Sequence, residues 1–191
     1  MTKSPLDLVR QVADLLDELA IPYALGGSMA SSLFGEPRST VDVDIAIKLA
    51  DGFEQALLDR VTPAFYVPTD AAQAAIVSKS SFNLVDTAHG LKVDLFVLGD
   101  GVLDRMQIER RVNIAVPHAP NGIWVTAPED QVLRKLDWYR KADGVSDRQW
   151  RDVVGILRVN LTSLDQDYLR HTATAVDLSD LLTAALADAA P

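Results

Sequence analysis

Asp42 and Asp44 stand two residues apart in Val41-Asp42-Val43-Asp44-Ile45. A period-two strand would put both carboxylates on one face, with their α-carbons about 7 Å apart. Carboxylate oxygens are preferred ligands of Mg²⁺, which binds through one or two carboxylates plus substrate phosphates. Paired acids can also hold two such ions ~3.5–4 Å apart. Asp94 is a third candidate, because it interrupts the apolar run Leu91-Lys92-Val93-Asp94-Leu95-Phe96-Val97. Strand interiors disfavour Asp and an unpaired buried carboxylate is costly. A metal shared with Asp42 and Asp44 would account for it; so would an edge position or a salt bridge to a nearby Arg or Lys. For the pair itself the plain alternative is a solvated strand face. Gly26-Gly27-Ser28 precedes the pair by one short helix. A strand-to-helix turn of this kind lets backbone N–H groups and the positive helix end approach a phosphate, with the Ser28 hydroxyl as a further donor. An ordinary tight turn would use the same glycines.

These residues need elements to hold them, and the pattern supplies candidates. Ser4 to Ala20 has a helical period with Ser4 as N-cap and Pro5 at the first position. Pro22 to Leu25 reads as a short strand, Met29 to Phe34 as a short helix closed by Gly35, and Val41 to Lys48 as a strictly alternating strand. A helix from about Asp51 to Arg60, a strand near Phe65 and a weakly helical stretch from Ala71 to Ile76 come next. Ser81–Val85 and Leu91–Val97 flank His89-Gly90 and predict a hairpin. Arg111–Val116 and Ile123–Thr126 read as strands separated by a Pro-Asn-Gly turn, with His118 in the loop. From Pro128 the pattern is helical to the end of the chain, with a fraying Ala-rich tail from Thr183. Trp138, Tyr139 and Trp150 occupy helical positions that suit a core better than a base-stacking platform. A mixed β-sheet flanked by helices, then a C-terminal helical segment, makes this an α+β chain. The expected division is a core over residues 1–127 and a helical segment over 128–191 packed on it.

Composition narrows the chemistry. The 191 residues include 48% hydrophobic ones, enough for a proper core. There are no cysteines, which excludes disulfides and thiolate chemistry, and His89, His118 and His171 lack ligand spacing. A net charge of −9 argues against a generic nucleic-acid coat. Residues 134–158 nonetheless gather Arg134, Lys135, Arg140, Lys141, Arg148, Arg151 and Arg158. No apolar run approaches the ~18 residues of a membrane span, and the start of the chain is amphipathic, so a cytoplasmic protein without membrane contact is expected.

In order, the chain offers a strand, Gly26-Gly27-Ser28, a helix, Glu36-Pro37-Arg38-Ser39-Thr40, the Asp42/Asp44 strand and a later strand Asp94. This order resembles the polymerase-β-like nucleotidyltransferases, and within them the abortive-infection group that includes toxins of type IV toxin–antitoxin pairs. Pro128-Glu129-Asp130, Lys135-Leu136-Asp137, Asp147-Arg148 and Asp152 resemble that group's C-terminal half. The resemblance spans about residues 20–157. It implies a nucleotidyltransferase-type sheet and transfer of a nucleoside monophosphate from a nucleoside triphosphate (ATP among them) to a hydroxyl, with Mg²⁺ or Mn²⁺ as cofactor. It implies that Gly26, Gly27 and Ser28 contact the triphosphate and that Asp42, Asp44 and Asp94 bind metal. Lys135 would contact phosphate, a helix-surface lysine being the alternative. Arg38 would reach a phosphate or balance the acids. Asp152 would join them as a weaker carry-over, an N-terminal-turn or solvated helix acid being the simpler account. The acceptor would be an RNA such as tRNA, a protein, or a small molecule of the aminoglycoside kind, and an antitoxin partner is implied by the toxin branch. A module of this fold that holds nucleotide or a partner without turnover is the non-enzymatic alternative.

Overall fold

The computed structural model describes residues 3–190. In chain order the elements are α1 (Pro5–Glu18), β1 (Tyr23–Leu25), α2 (Gly27–Phe34), β2 (Val43–Ile47), α3 (Glu54–Val61), α4 (Thr69–Ser78), β3 (Ser81–Asp86) and β4 (Leu91–Val97). There follow α5 (Val102–Glu109), β5 (Val112–Val116), β6 (Ala119–Val125), α6 (Pro128–Lys141), α7 (Asp147–Asn160), α8 (Gln166–Ala175) and α9 (Ser179–Ala189). One six-stranded sheet has the order β3-β4-β2-β1-β6-β5. It is mixed: β2 runs parallel to β4 and β1 parallel to β6, while β1/β2, β3/β4 and β5/β6 are antiparallel. The chain is α+β.

Strand alternation divides the work of the sheet. Val43, Ile45 and Ile47 on β2 and Val93, Leu95 and Val97 on β4 are buried in a core shared with α1, α3 and α4. Asp44 and Asp94 project to the other face, on which Trp138 of α6 meets Phe96 of β4. α1 starts as expected, on a capping box in which the Ser4 hydroxyl and the Asp7 carboxylate each take the other's backbone N–H. A second apolar cluster is built within α6–α9 around Val132, Leu136, Ile156, Leu169 and Leu182.

Several expectations shift. The β2 strand is shorter than its alternating sequence, so Asp42 immediately precedes it. The 81–97 hairpin forms in the expected place. The second hairpin turns at Pro117-His118 instead of Pro-Asn-Gly, with His118 at φ +61. Pro120, Asn121 and Gly122 lie inside β6, where Asn113 Nδ2 donates to the Asn121 carbonyl at 3.0 Å and the register shifts between Ile114 and Val116. The stretch near Phe65 contributes only an isolated bridge, Tyr66 to Val85. Helix α5 is additional to the expected elements. The tail is helical to Ala189, because Leu182, Ala185 and Ala189 are buried against α7 and its neighbours; Pro191 lies outside the described residues.

Candidate active site

The β1–α2 junction begins the site. Gly26 is the residue before the helix, and its N–H donates to the Asp44 carbonyl at 2.8 Å, which fixes the turn against β2. Gly27 opens α2 with φ +57, and a Cβ at that position would sit 1.8 Å from Asp44 Oδ2. Only glycine lets the carboxylate pack directly on the turn. Ser28 is buried. The first-turn N–H groups of α2 have no partner within the helix, so the turn aims donors and the positive helix end at the space in front of Asp44.

Asp44 and Asp94 are register partners on the parallel strands β2 and β4, about 4.8 Å apart at their α-carbons. With Asp42, Gly27, Ser28, Lys92, Lys135 and Trp138 they line one cavity of about 220 Å³. Burial raises the pKa of Asp44 above its ordinary 3.8, and repulsion from Asp94 and then Asp42 adds to the rise. Attraction to Lys135 and Lys92 offsets part of it. Such a cluster of like charge calls for a cation. In this conformation Lys92, two residues before Asp94 on the same strand face, supplies one: its Nζ lies 3.0 and 3.2 Å from the two Asp94 oxygens.

Among the described residues no three acid, histidine or cysteine side chains are gathered closely enough to hold a metal ion. The donor chemistry nevertheless suits a hard divalent cation, being three carboxylates without nitrogen or sulfur.

Behind the turn lies a network that ties sheet and C-terminal helices together. Arg38 donates from Nε and Nη2 to both oxygens of Asp152, at 3.0 and 3.1 Å, and from Nη2 to the Ser28 hydroxyl. Lys135 Nζ reaches Asp152 Oδ2 at 2.7 Å and Gln149 Oε1 at 2.9 Å. Lys135 is only 4% exposed, so it is not a helix-surface lysine, and Asp152 is not a solvated acid, its side chain being 7% exposed. Burial pulls the Lys135 pKa below its usual value. For Asp152 burial acts upward, but the hydrogen bonds from Arg38 and Lys135 outweigh it and hold the pKa below 3.8. Gln131, at the start of α6, donates to the Gly27 carbonyl at 2.7 Å and to the Ser31 hydroxyl at 3.0 Å.

All eight residues singled out from the sequence therefore lie in or beside one cleft. Asp42, Asp44, Asp94, Gly27, Ser28 and Lys135 line the carboxylate cavity. Gly26 lines the adjoining one, and Arg38 stands behind Ser28. Lys92, Gln131, Gln149 and Trp138 were not anticipated as part of it. Lys92 could have been found from its period-two relation to Asp94; the other three carry no local signal. Trp138 departs from its expected core role. It is half-buried, and it lines both the carboxylate cavity and the adjoining one.

The fold matches solved nucleotidyltransferase structures. An antigenic nucleotidyltransferase-like protein from Paracoccidioides brasiliensis aligns over 97% of this chain and 93% of its own, with TM-score 0.57 and 19% identity. The antibiotic-resistance factor ANT(2'')-Ia aligns in solution over 89% of both chains, with TM-score 0.58 and 15% identity. A crystal structure of ANT(2'')-Ia in complex with adenylyl-2''-tobramycin gives 0.55 and 13%, covering 89% of this chain and 97% of that one. At these identities the likeness establishes a shared fold. No protein-family model matches the chain, and no curated protein matches it.

Proposed function

We propose that this protein is a Mg²⁺-dependent nucleotidyltransferase that moves a nucleoside monophosphate from a nucleoside triphosphate to an acceptor hydroxyl. One observation carries the reading: Asp42, Asp44 and Asp94 line a single cavity with the Gly27-Ser28 turn and Lys135, in a chain with the fold of nucleotidyltransferases. In the reaction the acceptor oxygen forms a bond to the α-phosphorus, the bond to the β-bridging oxygen breaks, and pyrophosphate and a proton leave.

Each part of the cleft has a role in that step. The α2 N-terminus and the Ser28 hydroxyl hold phosphate oxygens through fixed donors that need no reorganisation. Lys135, kept in place by Asp152 and Gln149, presents a positive charge from the opposite wall. Arg38 fixes Ser28 and Asp152 at once, so its role is to position the donors. Asp42, Asp44 and Asp94 would hold Mg²⁺ or Mn²⁺. Bound there, the ion supplies positive charge to the phosphates and lowers the pKa of the acceptor hydroxyl. No cysteine is present and no protein nucleophile is required.

A small cationic acceptor is favoured by the net charge of −9; an RNA or protein acceptor is the other branch. The deciding experiment incubates the protein with each α-labelled nucleoside triphosphate, Mg²⁺ and a cell extract fractionated into RNA, protein and small molecules. Label in one fraction, lost on omitting Mg²⁺ or on Asp44→Asn, is the expected result, and label in RNA would support the toxin branch. Absence of both label transfer and triphosphate consumption would overturn the enzymatic reading in favour of a binding module.

A further inference from the structure

A second chamber, of about 440 Å³, adjoins the carboxylate cavity. The two share Gly27, Asp44, Lys135 and Trp138, so a molecule with its phosphates at the turn can extend into the chamber past Trp138. The chamber's walls differ in character. Three of its inner side chains already donate within the protein: Gln107 Nε2 to Thr126 at 3.0 Å, Gln131 Nε2 to Gly27 and Ser31, and Arg134 Nη2 to Asp104 at 2.6 Å, while Lys79 and Ser81 line it from exposed positions. The apolar groups are not consumed in this way. Phe96 is half-buried on a strand whose alternate residues are fully buried, because it faces the chamber. The Trp138 ring lies 5.5 Å from Phe96, centroid to centroid, at an interplanar angle of 45°. An aromatic pair left partly exposed inside a cleft, beside hydrogen-bonding groups already in use, selects a flat ligand held by its faces rather than by its edges.

We propose that Trp138 is the platform on which the nucleobase of the triphosphate stacks, with Phe96 bracing it, and that this contact sets base preference weakly. The inference rests on the nucleotidyltransferase reading and adds to it the place and the manner in which the base is held. Stacking is tolerant of base identity because every base has a π-face, and the Gln107, Gln131 and Arg134 donors beside the aromatic pair are engaged within the protein. The four nucleoside triphosphates should therefore bind within about tenfold of one another, purines best because they offer the larger face.

The test compares wild type, Trp138→Leu and Trp138→Phe by calorimetric titration with each nucleoside triphosphate in Ca²⁺, and with pyrophosphate as a ligand that has no base. Leu should weaken triphosphate binding by about 5- to 150-fold, the range of a lost base–aromatic stack. Phe should retain most of it, and pyrophosphate affinity should be unchanged in both, which also shows that the variants are folded. Triphosphate should quench the wild-type tryptophan emission more than pyrophosphate does. The stacking assignment is overturned if Trp138→Leu binds triphosphate as wild type does, if it loses pyrophosphate in equal measure, or if one base is preferred by more than a hundredfold. If wild type binds neither ligand, the nucleotidyltransferase reading itself fails and takes this one with it.

Discussion

Substitution of Gly27 by Ala tests whether the turn is built around the Asp44 carboxylate. Gly27 has φ +57, and the new Cβ would lie 1.8 Å from Asp44 Oδ2, 2.5 Å from its Cγ and 2.7 Å from its Cβ. Two costs follow. Holding a non-glycine residue in the left-handed region costs roughly 1–2 kcal/mol. Pushing Asp44 off its rotamer costs about 0.5–1.5 kcal/mol more. The reduced entropy of the unfolded chain returns about 0.4–1 kcal/mol. The net is near 2 kcal/mol, or about 4–8 °C in melting temperature for a chain of this size. Gly90 separates the terms, since its φ is +68 but nothing lies within 4 Å of a Cβ there; Gly90→Ala should lose only the backbone part. Gly26→Ala should melt close to wild type, because its nearest contact would be 3.5 Å and its φ is not positive. The assay is thermal denaturation followed by circular dichroism, with and without Mg²⁺. Displacing Asp44 should also shrink the stabilisation by Mg²⁺, so Gly27 variants perturb the phosphate and metal functions together. If Gly27→Ala melts no lower than Gly90→Ala, the packing of Asp44 on the turn is not as described.

Three further outcomes follow from the charges. Asp44→Asn should be more stable than wild type in EDTA at neutral pH and should not be stabilised by Mg²⁺. A raised folded pKa means that the native state binds the proton more tightly than the unfolded chain. Wild-type stability should therefore gain as pH falls through that raised value toward 3.8, a gain that melts of Asp44→Asn should lack. Asp152→Ala strips the partner from buried Lys135 and from Arg38 and should cost about 3–5 kcal/mol in urea titration. The folded pKa of Asp152 is depressed, so its contribution is full above 3.8 and is lost as pH falls through the folded value; an unchanged acid limb in the mutant would contradict this. Lys92→Gln should lower the melting temperature without metal and lower the Mg²⁺ concentration needed for half-maximal stabilisation, since the ammonium competes with the ion for Asp94. A higher Mg²⁺ requirement would refute the competition.

What the sequence disclosed was what is local. The Ser4 cap and Pro5 start of α1, the hairpin at His89-Gly90 and the alternation around Asp44 all follow from spacing within a few residues. The turn at His118 was hidden because Pro-Asn-Gly has the composition of a turn. Here Gly122 instead accommodates close approach, since a Cβ there would meet Asn113 Oδ1 at 2.1 Å. The breaks that divide the C-terminal stretch into α6, α7, α8 and α9 do carry local marks, which its helical periodicity outweighs. Asp143 (φ +52) and Gly144 (φ +73) follow α6, the Asp165 carboxylate caps α8 by accepting from the Tyr168 N–H, and Asp177 (φ +59) lies between α8 and α9, while Leu164 and Leu178 are buried at the turns. Helix α5 has neither a side-chain N-cap bond nor a strong apolar stripe, its sole fully buried residue being Gln107.

The site was legible in its acids and obscure in the contacts that hold Arg38 and Lys135, and the reason is separation along the chain. Asp42, Asp44 and Asp94 are marked by carboxylates on strands, where they are expensive, so each needs a reason that one sequence can pose. Arg38 and Asp152 are 114 residues apart, and Gln131 and Gly27 are 104 apart; nothing local pairs them, and Gln131 and Asp152 have the local pattern of solvated helix residues. These long contacts also alter what the C-terminal helices are for. Gln131, Lys135, Trp138, Gln149 and Asp152 all come from α6 and α7. Three of them, Lys135, Trp138 and Gln149, line the cavity whose carboxylates come from β2, β4 and the residue before β2. The apolar clusters of sheet and helices are largely separate, and the cleft lies where polar groups join them. Residues 128–160 are thus one wall of the site, and a fragment ending at residue 127 would keep all three candidate metal ligands while losing the lysine, the tryptophan and the network that holds Ser28.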